Sequence, residues 1–131
     1  MPPDATEAGA DLDIFVYNPG GQLVATSTSA GTNELIDVSG PANGTWTVYV
    51  HGWLTPGGDS DYTMYTWELS ATPGGNLSVD SAPASATIGD TATIDVSWTG
   101  ATAGQWHLGA VSHTRNTLAD LGLTLINVDN R

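Results

Sequence analysis

Ala10–Gly21 reads ADLDIFVYNPGG, and the fold is decided there. Leu12, Ile14 and Val16 alternate with Asp13, Phe15 and Tyr17, a period of two that puts the aliphatic residues on one face of an extended strand and the carboxylate and aromatics on the other. Asn-Pro-Gly-Gly ends the run. Pro19 fixes its own φ, and Gly20 and Gly21 accept positive φ at little steric cost, so the chain can turn and return through Gln22-Leu23-Val24-Ala25 as an antiparallel partner. GPANGTWTVYVHGW (40–53) repeats the turn-then-strand signal, with Trp46, Val48 and Val50 on the expected core side and Tyr49 and His51 opposite.

Outward from these two stretches, strand candidates fall at 12–17, 22–27, 34–38, 45–52 and 61–70, separated by loops rich in Gly, Pro, Ser and Asp. Residues 1–10 read as a linker, rich in Pro, Ala and acid. Ser-Ala-Thr-Pro-Gly-Gly-Asn (70–76) reads as a second linker, because Pro73 and the paired glycines cannot continue a central strand. A further β unit is expected over 77–131. There Ala92, Ile94, Val96 and Trp98 alternate with Thr93, Asp95 and Ser97, and 106–113 and 121–128 supply more strands. Asn116 to Leu121 is the one stretch with the composition of a helical turn. The expectation is an all-β chain: an antiparallel β-sandwich, jelly-roll-like, over 11–70, with a second small β unit packed on or beside it.

Composition narrows the function classes. The chain has 131 residues, no cysteine, Lys+Arg 2 against Asp+Glu 14, and a formal net charge of -12. Disulfides, thiol nucleophiles and cysteine zinc sites are excluded. With no lysine and only Arg115 and Arg131, neither nucleic-acid phosphates nor an anionic membrane surface finds a basic patch. No apolar run is long enough to span a bilayer. Met1-Pro-Pro-Asp lacks the basic start and apolar segment of a signal peptide, so an exported protein would carry this chain as a piece of a longer precursor. A lysine-free acidic chain suits an extracellular or saline setting.

Candidate chemistry is sparse. A nucleophile elbow G-x-S-x-G is absent, and although VHGW around His51 and IDVSG around Asp37 faintly resemble catalytic subtilase segments, their order and surroundings are wrong for a triad. Asp11-x-Asp13 and Asp59-x-Asp61 each place two carboxylates on one side of an extended chain, with Asp4 and Glu7 just upstream. These four aspartates are the candidate ligands for Ca²⁺, which takes oxygen donors from such loops. His107 and His113 are spaced too widely to share a transition metal in a strand. Phe15, Tyr17, Tyr49 and His51 form the candidate binding surface, because an outward aromatic row can stack on sugar rings or contact an extended polypeptide. A carbohydrate-binding platform would use Tyr17, Tyr49 and Trp53 or Trp67.

DLDIFVYNPGGQLVATSTS (11–29), ELIDVSGPANGTWTVYVHGW (34–53) and DYTMYTWEL (61–69) resemble the bacterial pre-peptidase C-terminal domain, a small β-sandwich that follows the catalytic domains of secreted proteases. The segment 75–113 followed by GLTLINVD (122–129) resembles the fibronectin-like tail that closes many bacterial subtilisin-like serine peptidases. The resemblance implies a non-catalytic, exported accessory region attached to a catalytic peptidase domain of the same parent, serving substrate binding, secretion or stability. In some collagenase relatives it implies Ca²⁺-dependent binding of collagen; no cofactor is required. Strands that usually precede the D-L-D strand are missing, so Met1 is expected to mark a cut within a longer chain. The alternative is a carbohydrate-binding or adhesive surface β-sandwich module.

Overall fold

The computed structural model describes residues 1–115 and 120–131. Among them there is no helix; the chain is all-β, with antiparallel pairing throughout and open, sandwich-like sheets. It divides into two compact units, Met1–Tyr65 and Thr66–Arg131.

In the first unit, β1 (Asp11–Tyr17) is the central strand, flanked by β2 (Leu23–Ser27) and β3 (Thr47–Leu54) in the order β2-β1-β3. The β1–β2 turn is held by Asn18. Its side-chain Oδ1 accepts the N–H groups of Gly20 and Gln22, both at 3.0 Å, and its carbonyl accepts that of Gly21 at 2.9 Å. Of the two glycines expected to supply positive φ, Gly21 does so, at 76°. On β3 the register is Ile14 to Val50, Val16 to Val48 and Leu12 to Gly52 on the inner side. Leu12, Ile14 and Val16 are 2%, 5% and 7% exposed, so the period of two read from the sequence is the period of burial. Ala25, Ile36, Trp46, Val50 and Met64 pack around them.

Residues 1–10, where composition suggested a linker, contribute Met1, Pro2, Ala5 and Ala10 to the buried interior while Pro3, Asp4 and residues 7–9 stay exposed. Met1 and Ala5 join the apolar cluster beneath β1, and Pro2 is among the most completely buried side chains. The segment thereby covers the aliphatic face that β1 would otherwise present to water.

Two expected strands are absent. At 34–38 the backbone spends its donors locally: Glu34 N–H reaches the carbonyls of Met1 (3.0 Å) and Thr32 (2.9 Å), and Leu35 N–H reaches Ser27 Oγ at 3.3 Å. Glu34 itself is 1% exposed, its Oε1 accepting from both the N–H and the hydroxyl of Ser29. At 61–70 the chain passes from one unit to the other. Met64 packs in the first core, whereas Trp67 donates its indole N–H to the Trp106 carbonyl in the second, so the segment runs alongside no single sheet.

The second unit holds two hairpin-like pairs, β4 (Leu77–Ser81) with β5 (Asp95–Trp98), and β6 (Trp106–Thr114) with β7 (Asp120–Asp129). Regular pairing begins only at Asp95, so Ala92, Thr93 and Ile94 of the expected alternation lie outside the strand. The pairs meet at Gly109: a Cβ there would lie 2.7 Å from Leu77 Cδ2 and 3.1 Å from the Trp98 ring. Only a residue without a side chain lets β6 approach β4 and β5 so closely. At the end of β7, Arg131 clamps Asp129 through Nε (3.0 Å) and Nη2 (2.9 Å) and lies 5.0 Å over the Trp106 ring. The helical turn expected from Asn116 onward falls on residues outside those described, and Leu121 at its far end lies in β7.

Candidate aromatic binding face

The register that buries Ile14 against Val50 places the intervening residues together on the opposite side of the sheet. Asp13 faces His51, Phe15 faces Tyr49, and Tyr17 faces Thr47. All four residues expected to form a binding surface, Phe15, Tyr17, Tyr49 and His51, therefore share one face of the first unit's sheet.

Their rings meet edge to face. Tyr17 and Tyr49 have centroids 5.4 Å apart at 82°, Phe15 and His51 6.4 Å apart at 70°, and His51 and Trp53 6.2 Å apart at 68°. In this arrangement the positive edge of one ring meets the negative face of the next. Tyr49 is 60% exposed and Trp53 72%, whereas Phe15 and Tyr17 are half-buried on the central strand and support them. Two shallow depressions overlap at Tyr17 and Tyr49, one continuing to Gly21 and Thr47, the other to Phe15 and His51. Both open broadly to solvent, so the face suits a chain lying across it better than a small molecule enclosed in it.

One polar contact sits at the end of the row. His51 Nδ1 lies 3.3 Å from Asp13 Oδ2, with the carboxylate largely covered and the imidazole half exposed. A carboxylate oxygen accepts, so in this pair the imidazole Nδ1–H is the donor. This bond fixes the ring plane against Phe15 and Trp53. His51, compared above with a subtilase histidine, thus pairs with Asp13 in its own sheet; Asp37 is exposed in the loop after Ile36.

The aspartates singled out for Ca²⁺ are distributed differently. Asp11 Oδ1 accepts the N–H of Gly31 at 3.0 Å and ties the 28–34 loop to β1, while Asp13 is engaged by His51. Asp59 and Asp61 are exposed in the loop after β3. Among the described residues no group of three or more His, Asp or Glu side chains is arranged around one point. Glu7 has hydroxyl partners instead, Ser60 and Thr6, and these hydrogen bonds hold its carboxyl below the usual range. His107 accepts the N–H of Thr102 at 3.3 Å and His113 contacts Thr124 Oγ1 at 2.8 Å.

Trp53 extends the row beyond the four residues assigned to it. The signal was present in the sequence, since Trp53 follows His51 by two positions, but Gly52 read as the end of the strand. β3 instead continues to Leu54, across a register shift between Asp11 and Leu12 of its partner. Trp67, the other candidate for a stacking platform, is paired with Trp106 at 5.1 Å and 83° within the second unit.

No protein-family model, curated protein or solved structure matches this chain.

Proposed function

We propose that this chain is a non-catalytic accessory region of a secreted subtilisin-like serine endopeptidase, and that the aromatic face of its first unit holds the parent enzyme against a polymeric substrate. The parent is inferred from the tandem resemblance of residues 10–70 and 75–129. The binding role rests on one observation: five rings, from Tyr17 to Trp53, stand on the solvent side of a sheet whose other side is already occupied by core. Aromatic side chains bring large contact area at low conformational cost, and the β1–β3 ladder holds these in place before any ligand arrives.

A test would measure retention of the full chain on insoluble collagen and on insoluble glycans, beside a Tyr49→Ala, Trp53→Ala variant. Both side chains are well exposed, so the variant keeps its core. Retention that disappears in the variant is the expected result; equal retention of both proteins would refute the role of this face. Casein should remain uncleaved by the isolated chain, and reproducible turnover abolished by His51→Ala would overturn the non-catalytic reading. The exposed indole of Trp53 also favours a second reading, a carbohydrate-binding module, for which retention on glycans alone would speak.

A further inference from the structure

The charge distribution identifies what kind of polymer the aromatic face takes. Both arginines, Arg115 and Arg131, belong to the second unit, so the first unit carries Asp and Glu with no lysine or arginine side chain. Its binding face contains no fixed positive group. It offers instead the exposed rings of Tyr49 and Trp53, with the largely covered Asp13 carboxylate, held by His51, at the end of the row. The π-faces of such rings attract ammonium and guanidinium groups, and the unit's net negative charge adds a long-range field of the same sense. An anionic polymer would meet the same field as repulsion.

We infer that the occupant of the Tyr17–Trp53 face is an extended polypeptide bearing Lys or Arg at alternate positions, with its cationic side chains over Tyr49 and Trp53. This rests on the reading of the face as a polymer-binding surface and goes beyond it by fixing the chemistry of the polymer. The geometry matches the period of a strand. Tyr49, His51 and Trp53 succeed one another at every second residue of β3, so an extended segment lying along β3 brings every second side chain over the row.

The probes are peptides of 8 residues, the length of β3, alternating Thr with Lys, Gln or Glu, together with a chito-oligosaccharide. Binding to the full chain is followed by calorimetry. The Lys peptide should bind about threefold more tightly than the Gln peptide for each ring engaged, roughly tenfold for Tyr49 and Trp53 together. The Glu peptide should bind most weakly. A Tyr49→Leu, Trp53→Leu variant keeps apolar area but lacks the ring quadrupoles, and should lower the preference for Lys over Gln by roughly tenfold, leaving only the salt-sensitive part that the net charge supplies. Added NaCl should weaken the Lys peptide more than the Gln peptide as the Debye length shortens.

Equal binding of the Lys and Gln peptides, abolished for both by Tyr49→Ala, Trp53→Ala, would overturn the inference while leaving a polymer-binding face intact. A Lys preference that is undiminished in the leucine variant would assign the attraction to diffuse acidity and overturn it too. Binding of the oligosaccharide alone would transfer the face to the carbohydrate reading. If no probe binds, the inference and the reading beneath it fall together.

Discussion

Replacing Gly109 by alanine tests whether the two strand pairs of the second unit pack as close as 2.7 Å implies. The added methyl would sit against Leu77 Cδ2 on β4 and against the Trp98 ring on β5, at 3.1 and 3.2 Å from two ring carbons. Leu77 can swing its terminal methyl aside, but the indole is a rigid plate. Gly109 does not have the positive φ that would add backbone strain, so the cost is steric. Overpacking of this kind costs about 2 kcal/mol. For a unit of this size each kcal/mol moves Tm by roughly 4–8 °C, so the second unit's transition should fall by roughly 10 °C. Leu77→Ala alone should cost about 2 kcal/mol, the low end for a leucine truncation, because Leu77 is only partly buried. In the double variant the new methyl enters the space that Leu77 vacates. The two changes together should then cost about 1–2 kcal/mol less than their sum. Urea titration followed by tryptophan emission, to which Trp67, Trp98 and Trp106 of the second unit contribute, reads this, and circular dichroism reports whether the first unit unfolds separately. A Gly109→Ala protein as stable as the parent, or strict additivity in the double variant, would refute the close packing.

Further outcomes follow from the first unit and from the chain's carboxylates. Leu12→Ala, at a position 2% exposed on the central strand, should destabilise the first unit by about 3 kcal/mol in urea titration. Asn18→Ala removes the acceptor for two backbone N–H groups in the β1–β2 turn and should cost about 1 kcal/mol by the same measurement, with Asn18→Asp costing less. Glu7 and Asp129 have carboxyls held below their usual range, Glu7 by the Ser60 and Thr6 hydroxyls, Asp129 by its hydrogen bonds to Arg131. Each therefore contributes stability that is complete above the ordinary carboxylate range and is lost as pH falls through the lowered folded-state value. The urea midpoint of a Glu7→Gln, Asp129→Asn variant should decline less than that of the parent on going from pH ~5 to pH ~2; parallel profiles would contradict this.

Much of the first unit could be read directly from local pattern. The alternation from Leu12 to Val16 announced both the buried row and the exposed one, because a strand buried on one face imposes a period of two on its residues. The aromatic face was legible for the same reason, up to the glycine that seemed to end β3. What local pattern could not convey was where loops find their partners. Glu34-Leu-Ile-Asp-Val alternates as a strand should, yet its backbone is satisfied by Met1, Thr32 and Ser27, and its glutamate is buried against Ser29. Residues 1–10 have the composition of a linker, but Met1, Pro2 and Ala5 lie inside because β1 leaves an aliphatic face to be covered. The aspartates at 11, 13, 59 and 61 looked alike as pairs, and only three-dimensional contacts separate the two that are hydrogen-bonded within the fold from the two that lie in the loop after β3.

β3 occupies one margin of the β2-β1-β3 sheet, so one row of its backbone groups has no strand beside it. Thr47–Leu54 contains neither proline nor lysine, the residues that commonly blunt such a margin. Two copies approaching along it repel each other, with a net charge of -12 at neutral pH. That safeguard is chemical rather than architectural and can be titrated away. Toward the isoelectric point of about 4.1 that the composition gives, that repulsion falls away, and light scattering is expected to report self-association.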